Sequence, residues 1–247
     1  MLTWEGTLLE RGMELGKLII SGGGSEKQTE AIDLHFASLL DKNRTLLYIP
    51  VAMASQQVSY DGCYKWITDI FHPMGIRSIE MWTDIQNKCY EDIQTFSGIY
   101  IGGGNTFDLL DLFEETQFSD LIKEYVNHGG VVYGGSAGGI ILGSHIKTCA
   151  LNDHKPGYEG DYKGLDLIGP YAIHCHYEQS QHSFIQSLVH EYNVSVIALP
   201  EETGLSMIDD EMTVIGEKWA VLFDDKGWRE VGVGSTISDT GHDEENQ

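Results

Sequence analysis

Val131-Val-Tyr-Gly-Gly-Ser-Ala-Gly-Gly-Ile-Ile-Leu142 is the stretch on which the reading of the chain turns. A β-rich apolar run at 131–133 passes straight into Gly134-Gly-Ser-Ala-Gly138, a G-x-S-x-G pattern, and the apolar run 140–142 that follows can start a helix. A strand bent this sharply into a helix strains its central serine, and only small neighbours avoid a clash there. The helix start behind the serine offers free N–H groups and the positive end of a dipole. Both can hold the oxyanion formed when a hydroxyl attacks a carbonyl. The bare pattern also fits an ordinary tight turn, so the flanking strand and helix carry the argument. They make Ser136 the expected nucleophile of a hydrolase.

On either side of this stretch, short apolar runs alternate with segments of helical period. Strands are predicted at 17–20, 45–49, 77–82 and 97–101. Helical spacing joins Ile32, Phe36, Leu39 and Leu40, then Trp66, Ile70 and Met74, then Leu121, Ile122, Tyr125 and Val126. This rhythm predicts an α/β fold with right-handed crossovers and a mostly parallel sheet covered on both faces. Sites in such sheets form at the carboxyl ends of strands. Two glycine turns end strands there, Gly134 to Gly138 and Gly102-Gly-Gly-Asn105. In the second, a backbone N–H can complete an oxyanion hole beside that of Ala137, and Asn105 or Thr106 can cap the next helix.

After Gly143 the pattern loosens. Residues 147–169 read as a long polar loop, a strand falls within 167–176, and Phe184, Ile185, Leu188, Val189 and Tyr192 fit a helix. The closely spaced runs 194–199, 205–208, 212–215 and 219–223 predict antiparallel strands at one sheet edge. The expectation is one α/β domain over 1–238, with an acidic, frayed tail at 239–247.

Lys plus Arg number 15 and Asp plus Glu 38, a formal net charge of −23. Such a surface repels phosphate backbones and anionic lipid, so neither nucleic acid nor membrane is an expected partner. No window approaches the roughly 18 apolar residues of a membrane span, and the first residues do not read as a signal peptide. A cytoplasmic location is expected. Cys63, Cys89, Cys149 and Cys175 form no C-x-x-C pair, which points to reduced thiols.

A serine nucleophile needs a base, and histidine is the usual one. Chemistry alone does not choose among ten histidines. His174 and His176 end a predicted strand, while His145 and His154 are nearer in sequence. A carboxylate from Pro200-Glu-Glu-Thr-Gly204 could orient the imidazole. His174, Cys175, His176, His182 and His190 cluster, but their spacing matches no zinc pattern, so no metal and no other cofactor is expected. Cys175 has no visible activating partner.

The ordered stretches Ile101-Gly-Gly-Gly-Asn-Thr-Phe107, Tyr133-Gly-Gly-Ser-Ala-Gly138, Asn152-Asp153, His176-Tyr177 and Leu199-Pro-Glu201 resemble the peptidase S51 family, on its peptidase E (aspartyl dipeptidase) side. The resemblance implies a three-layer sandwich like that of class I glutamine amidotransferases, which carry cysteine where Ser136 stands. It implies a Ser136, His176 and Glu201 triad, oxyanion donors at the backbone of Gly103 or Gly104 and of Ala137, and Asp153 near the site. Peptidase E also carries, between the histidine and the Leu-Pro-Glu stretch, an arginine that pairs with the substrate Asp. Here residues 178–190 contain no Arg or Lys. The expected activity is therefore hydrolysis of short peptides without Asp-X specificity, and a homodimer is the expected assembly. A binding protein that retains the fold is the alternative from another class, and esterase or acyl-transfer chemistry would use the same groups.

Overall fold

The computed structural model describes residues 16–53, 58–158 and 160–237. The tail expected at 239–247 lies outside them. The chain runs β1 (Lys17–Ser21), α1 (Glu26–Leu39), β2 (Leu46–Ile49), α2 (Tyr60–Phe71), β3 (Ile79–Met81), α3 (Tyr90–Ile93), β4 (Gly98–Ile101), α4 (Thr106–Glu115), α5 (Phe118–Asn127), β5 (Val131–Gly135) and α6 (Ala137–Leu142). A long connection with a 3₁₀ turn at Lys147–Leu151 leads to β6 (Tyr171–Cys175), α7 (His182–Tyr192), β7 (Ser195–Leu199), β8 (Thr203–Ile208), β9 (Glu211–Gly216), β10 (Ala220–Asp224), β11 (Gly227–Val231) and β12 (Thr236–Ile237).

The main sheet has eight strands in the order β12-β9-β8-β1-β5-β4-β2-β3. Its core, β1-β5-β4-β2-β3, is parallel, and β8, β9 and β12 add antiparallel partners at one edge. The fold class is thus the expected one. Side chains alternate across the pleat. Ile19, Leu46, Tyr48, Tyr100 and Tyr133 face α1 and α2, packing on Ile32, Phe36, Ile67 and Phe71. Leu18, Ile20, Leu47, Ile49, Ile99 and Ile101 face the other way and share a core with Phe107, Leu110, Phe113, Ile122 and Ile141. Burial on both faces explains why these strands read as continuous apolar runs.

The later strands are divided differently from the prediction. Runs 205–208 and 212–215 do lie at the edge of the main sheet, as β8 and β9. Runs 194–199 and 219–223 instead join residues 171–175 in a second sheet of order β11-β10-β7-β6. The reason is burial. β6, β7 and β10 are almost wholly buried, so each needs cover on both sides. Ile173, Ile197 and Leu222 join the main core, while Ala172, Val196, Ala198 and Phe223 pack under Ile185 and Val189 of α7. In β9 the outer positions stay partly exposed, which suits an edge. Among the described residues no helix is long and apolar enough to cross a membrane.

Candidate active site

β5 ends at Gly135 and α6 begins at Ala137, so Ser136 alone makes the bend. Its backbone sits at φ +50° and ψ −113°, a left-handed strain rarely borne by a residue with a side chain. The bend survives because α6 lies almost against β4. A Cβ on Gly138 would stand 2.4 Å from the Ile101 carbonyl oxygen, so only glycine fits. The Ser136 carbonyl accepts from the N–H groups of Gly139 and Ile140, which starts the helix. Its hydroxyl is thereby held out at the carboxyl edge of the sheet.

His176 follows β6 with a second positive φ, +55°. Its backbone N–H donates to the Gly22 carbonyl at 2.9 Å, which ties the end of β6 to the turn after β1. The imidazole lies over Gly23, where an added Cβ would come within 2.2 Å of Cε1. A side chain at position 23 would therefore push the ring away. Glu201 lies in the three-residue link between β7 and β8, the point where the chain crosses from the second sheet into the main one.

These elements bring three predicted residues into a hydrogen-bonded chain. Ser136 Oγ is 2.9 Å from His176 Nε2, and His176 Nδ1 is 3.1 Å from Glu201 Oε1. A carboxylate only accepts, so the neutral imidazole carries its proton on Nδ1 and presents Nε2 as an acceptor to the serine hydroxyl. Glu201's second oxygen accepts from Gln28 Nε2 at 2.7 Å. Hydrogen bonds from His176 first, and then from Gln28, hold the Glu201 carboxyl below its usual range despite partial desolvation.

Gln28 is the site residue the sequence reading passed over. Its Oε1 accepts from the backbone N–H and the hydroxyl of Ser25, so one amide both closes the start of α1 and braces Glu201. Ser25-x-x-Gln28 is a capping-box pattern, and it follows a glycine turn at the same sheet edge. Those two signals together mark the position.

The remaining expected residues surround the triad at different depths. Gly103 sits beside Ser136, with an ideal Cβ 3.4 Å from Ser136 Cβ. Gly104 backs onto the Ala52 carbonyl. Asn105 caps α4, its Oδ1 accepting from the N–H groups of Phe107 and Asp108. Asp153 accepts from the N–H and hydroxyl of Thr106, so it braces the glycine turn from behind. Ala137 is buried at the first position of α6.

The clustered histidines and cysteine go separate ways. His174 is buried, with Nδ1 on the Thr148 carbonyl and Nε2 on Gln181 Oε1. His182 packs edgewise on Phe223 and Trp228, and His190 lies beside Gln186. Among the described residues no group of three or more His, Cys, Asp or Glu is placed to hold a metal ion. Cys175 is buried behind the triad, and burial pushes its thiol far above the usual range, so it carries no thiolate.

A cavity of about 470 Å³ opens at Ser136 and His176, within the size range of small-molecule sites. Tyr48, Trp66 and Tyr100 form one wall. Thr29 lies deeper, donating to Asp33 Oδ2 at 2.7 Å, while the Tyr133 hydroxyl donates to Asp33 Oδ1 at 2.9 Å. Desolvation pushes the Asp33 carboxyl up to about 6, against the pull of those two hydrogen bonds.

Known proteins resemble the chain in sequence and in fold. The chain is 29% identical over 205 residues to a peptidase E of Shewanella denitrificans, covering 78% of this chain and 84% of that one. It is 28% identical over 187 residues to a peptidase E of Haemophilus influenzae, covering 72% and 83%. The crystal structure of a peptidase from an acI-B1 Actinobacterium superposes with a TM-score of 0.69 at 19% identity, over 93% of this chain and 99% of that one. At that identity the likeness speaks for the fold. The family model described as peptidase family S51 matches residues 18–215, from β1 to β9. The chain belongs to peptidase family S51 and is a serine-type peptidase.

Proposed function

We propose that the chain hydrolyses short peptides through Ser136, His176 and Glu201. The observation that carries this reading is the continuous contact from the Ser136 hydroxyl through the imidazole to the Glu201 carboxylate, at 2.9 and 3.1 Å. His176 Nε2 takes the hydroxyl proton as Ser136 Oγ bonds to the substrate carbonyl carbon. Charge collects on the carbonyl oxygen, toward which the N–H groups of Ala137 and of Gly103 or Gly104 donate. The imidazolium, steadied by Glu201, returns the proton to the departing amine as the C–N bond breaks. Water then attacks the acyl-enzyme with His176 again as base. The product acid leaves and Ser136 regains its proton.

Preference for an N-terminal Asp is not part of this proposal. None of the described residues lining the cavity is Lys or Arg, and a desolvated substrate carboxylate there would lack a counter-ion. The test is Ser136→Ala, assayed on a dipeptide panel alongside fluorophosphonate labelling of the wild type. Turnover should vanish in the variant with its circular dichroism unchanged, and the wild type should label at Ser136. Undiminished turnover in Ser136→Ala overturns the mechanism. A folded wild type that neither labels nor turns over points to a binding protein instead.

A further inference from the structure

We infer that the cavity beside Ser136 is an apolar side-chain subsite, which selects short peptides with an aromatic or large aliphatic residue flanking the attacked carbonyl. This deepens the proposed hydrolase reading and rests on it for the position of the scissile bond. The rings of Tyr48, Trp66 and Tyr100 are in mutual contact, with centroids 5.5 to 6.2 Å apart, mostly edge to face. Met53 and Val58 add aliphatic surface. Edge-to-face rings of this kind receive another ring or a branched aliphatic group readily.

Several polar side chains lining the cavity are already committed. The Thr29 hydroxyl donates to Asp33, and Ser21 Oγ accepts from the Gly23 N–H. The Tyr48 hydroxyl and the Cys63 thiol bond each other. The first turn of α2 could have met an anion, but Ser59 occupies it, taking the Gly62 N–H on its hydroxyl and the Cys63 N–H on its carbonyl. A polar substrate side chain would lose water and find few free partners. An acidic one would also face the Asp33 carboxyl behind Thr29, which is mostly ionised above pH 6. An apolar side chain gives up no hydrogen bond on entry and displaces water from the aromatic wall.

In an apolar pocket each added methylene is worth roughly 10-fold or more in specificity. The better of Phe-Ala and Ala-Phe should therefore exceed Ala-Ala in kcat/KM by at least about 10-fold, with Asp-Ala below Ala-Ala. The same order should hold for equilibrium binding of these dipeptides to the inactive Ser136→Ala protein, measured by calorimetry. Trp66→Ala should compress the Phe-to-Ala ratio severalfold. Val58→Asp, at an exposed lining position that tolerates a polar residue, should do the same if Trp66→Ala misfolds. Asp-Ala bound or cleaved as well as the Phe peptides overturns the subsite and leaves the triad standing, as does a ratio unmoved in folded variants. Tight binding of a Phe peptide by Ser136→Ala, with a wild type that cleaves nothing and resists fluorophosphonate, supports the subsite and overturns the triad.

Discussion

Single side chains do more than one task at this site. Gln28 closes the start of α1 through Ser25 and fixes one oxygen of Glu201, leaving the other for His176. It touches no substrate, so it acts as a positioning residue. Gln28→Ala should lower kcat about 10-fold, the worth of one hydrogen bond to a charged group, with KM little changed. Steady-state kinetics on a good dipeptide checks this, and an unchanged kcat removes Gln28 from the relay. Gln28→Glu is the sharper companion. A second carboxylate against Glu201 should be tolerated only when one of the two is protonated, moving the acid limb of the rate profile to higher pH.

At the level of elements, α1 is joined to β5 by a buried acid. Asp33 accepts from Tyr133, which immediately precedes the elbow glycines, and from Thr29 one turn back along α1. Its carboxyl titrates near 6 in the folded protein but near 3.8 in a model peptide. Between those values the folded state holds more protons than the unfolded one. The contribution of this group to stability is therefore greatest below about pH 4 and falls as pH rises toward 6, by about 3 kcal/mol at most. Asp33→Asn cannot titrate. Its urea-unfolding free energy should vary less between pH 4 and 7 than that of the wild type, and parallel curves would refute the assignment. The carboxyl end of the sheet thus rests on an acid whose ionisation costs stability, beneath a subsite argued to reject anions.

Over the whole molecule, the triad spans a seam between two sheets. Ser136 ends a strand of the eight-stranded sheet, His176 ends a strand of the four-stranded sheet, and Glu201 sits on the link between them. One backbone bond closes the seam at the same place, the His176 N–H donating to the Gly22 carbonyl, while the Gly22 N–H donates to Thr203 within the first sheet and the Tyr177 N–H to Leu199 within the second. Any loosening of the second sheet must therefore disturb the imidazole. The net charge of −23 acts at this scale too, through self-repulsion of the compact state. Raising NaCl from about 10 mM to 150 mM shortens the Debye length from roughly 30 to 8 Å and should raise the melting temperature. A melting temperature indifferent to salt would mean that local ion pairs already compensate the excess.

The parallel core of the fold and the bend at Ser136 could be read from the chain because both are local. Burial on two faces writes itself as apolar runs, and a strained strand-to-helix bend demands glycine around Ser136. The division of the later strands was not legible, since 194–199 and 219–223 are as apolar as any edge strand and only packing against α7 reveals the second sheet. Nor could periodicity choose His176 from ten histidines. A family resemblance pointed to it, and the contacts that bring it to Ser136 and Glu201 join residues 40 and 25 positions apart. Gln28 lies 173 positions from the carboxylate it braces. Neighbours along the chain decide strand, turn and strain. Meetings across such distances are decided by how two sheets close against each other, and that is a property of the packed molecule alone.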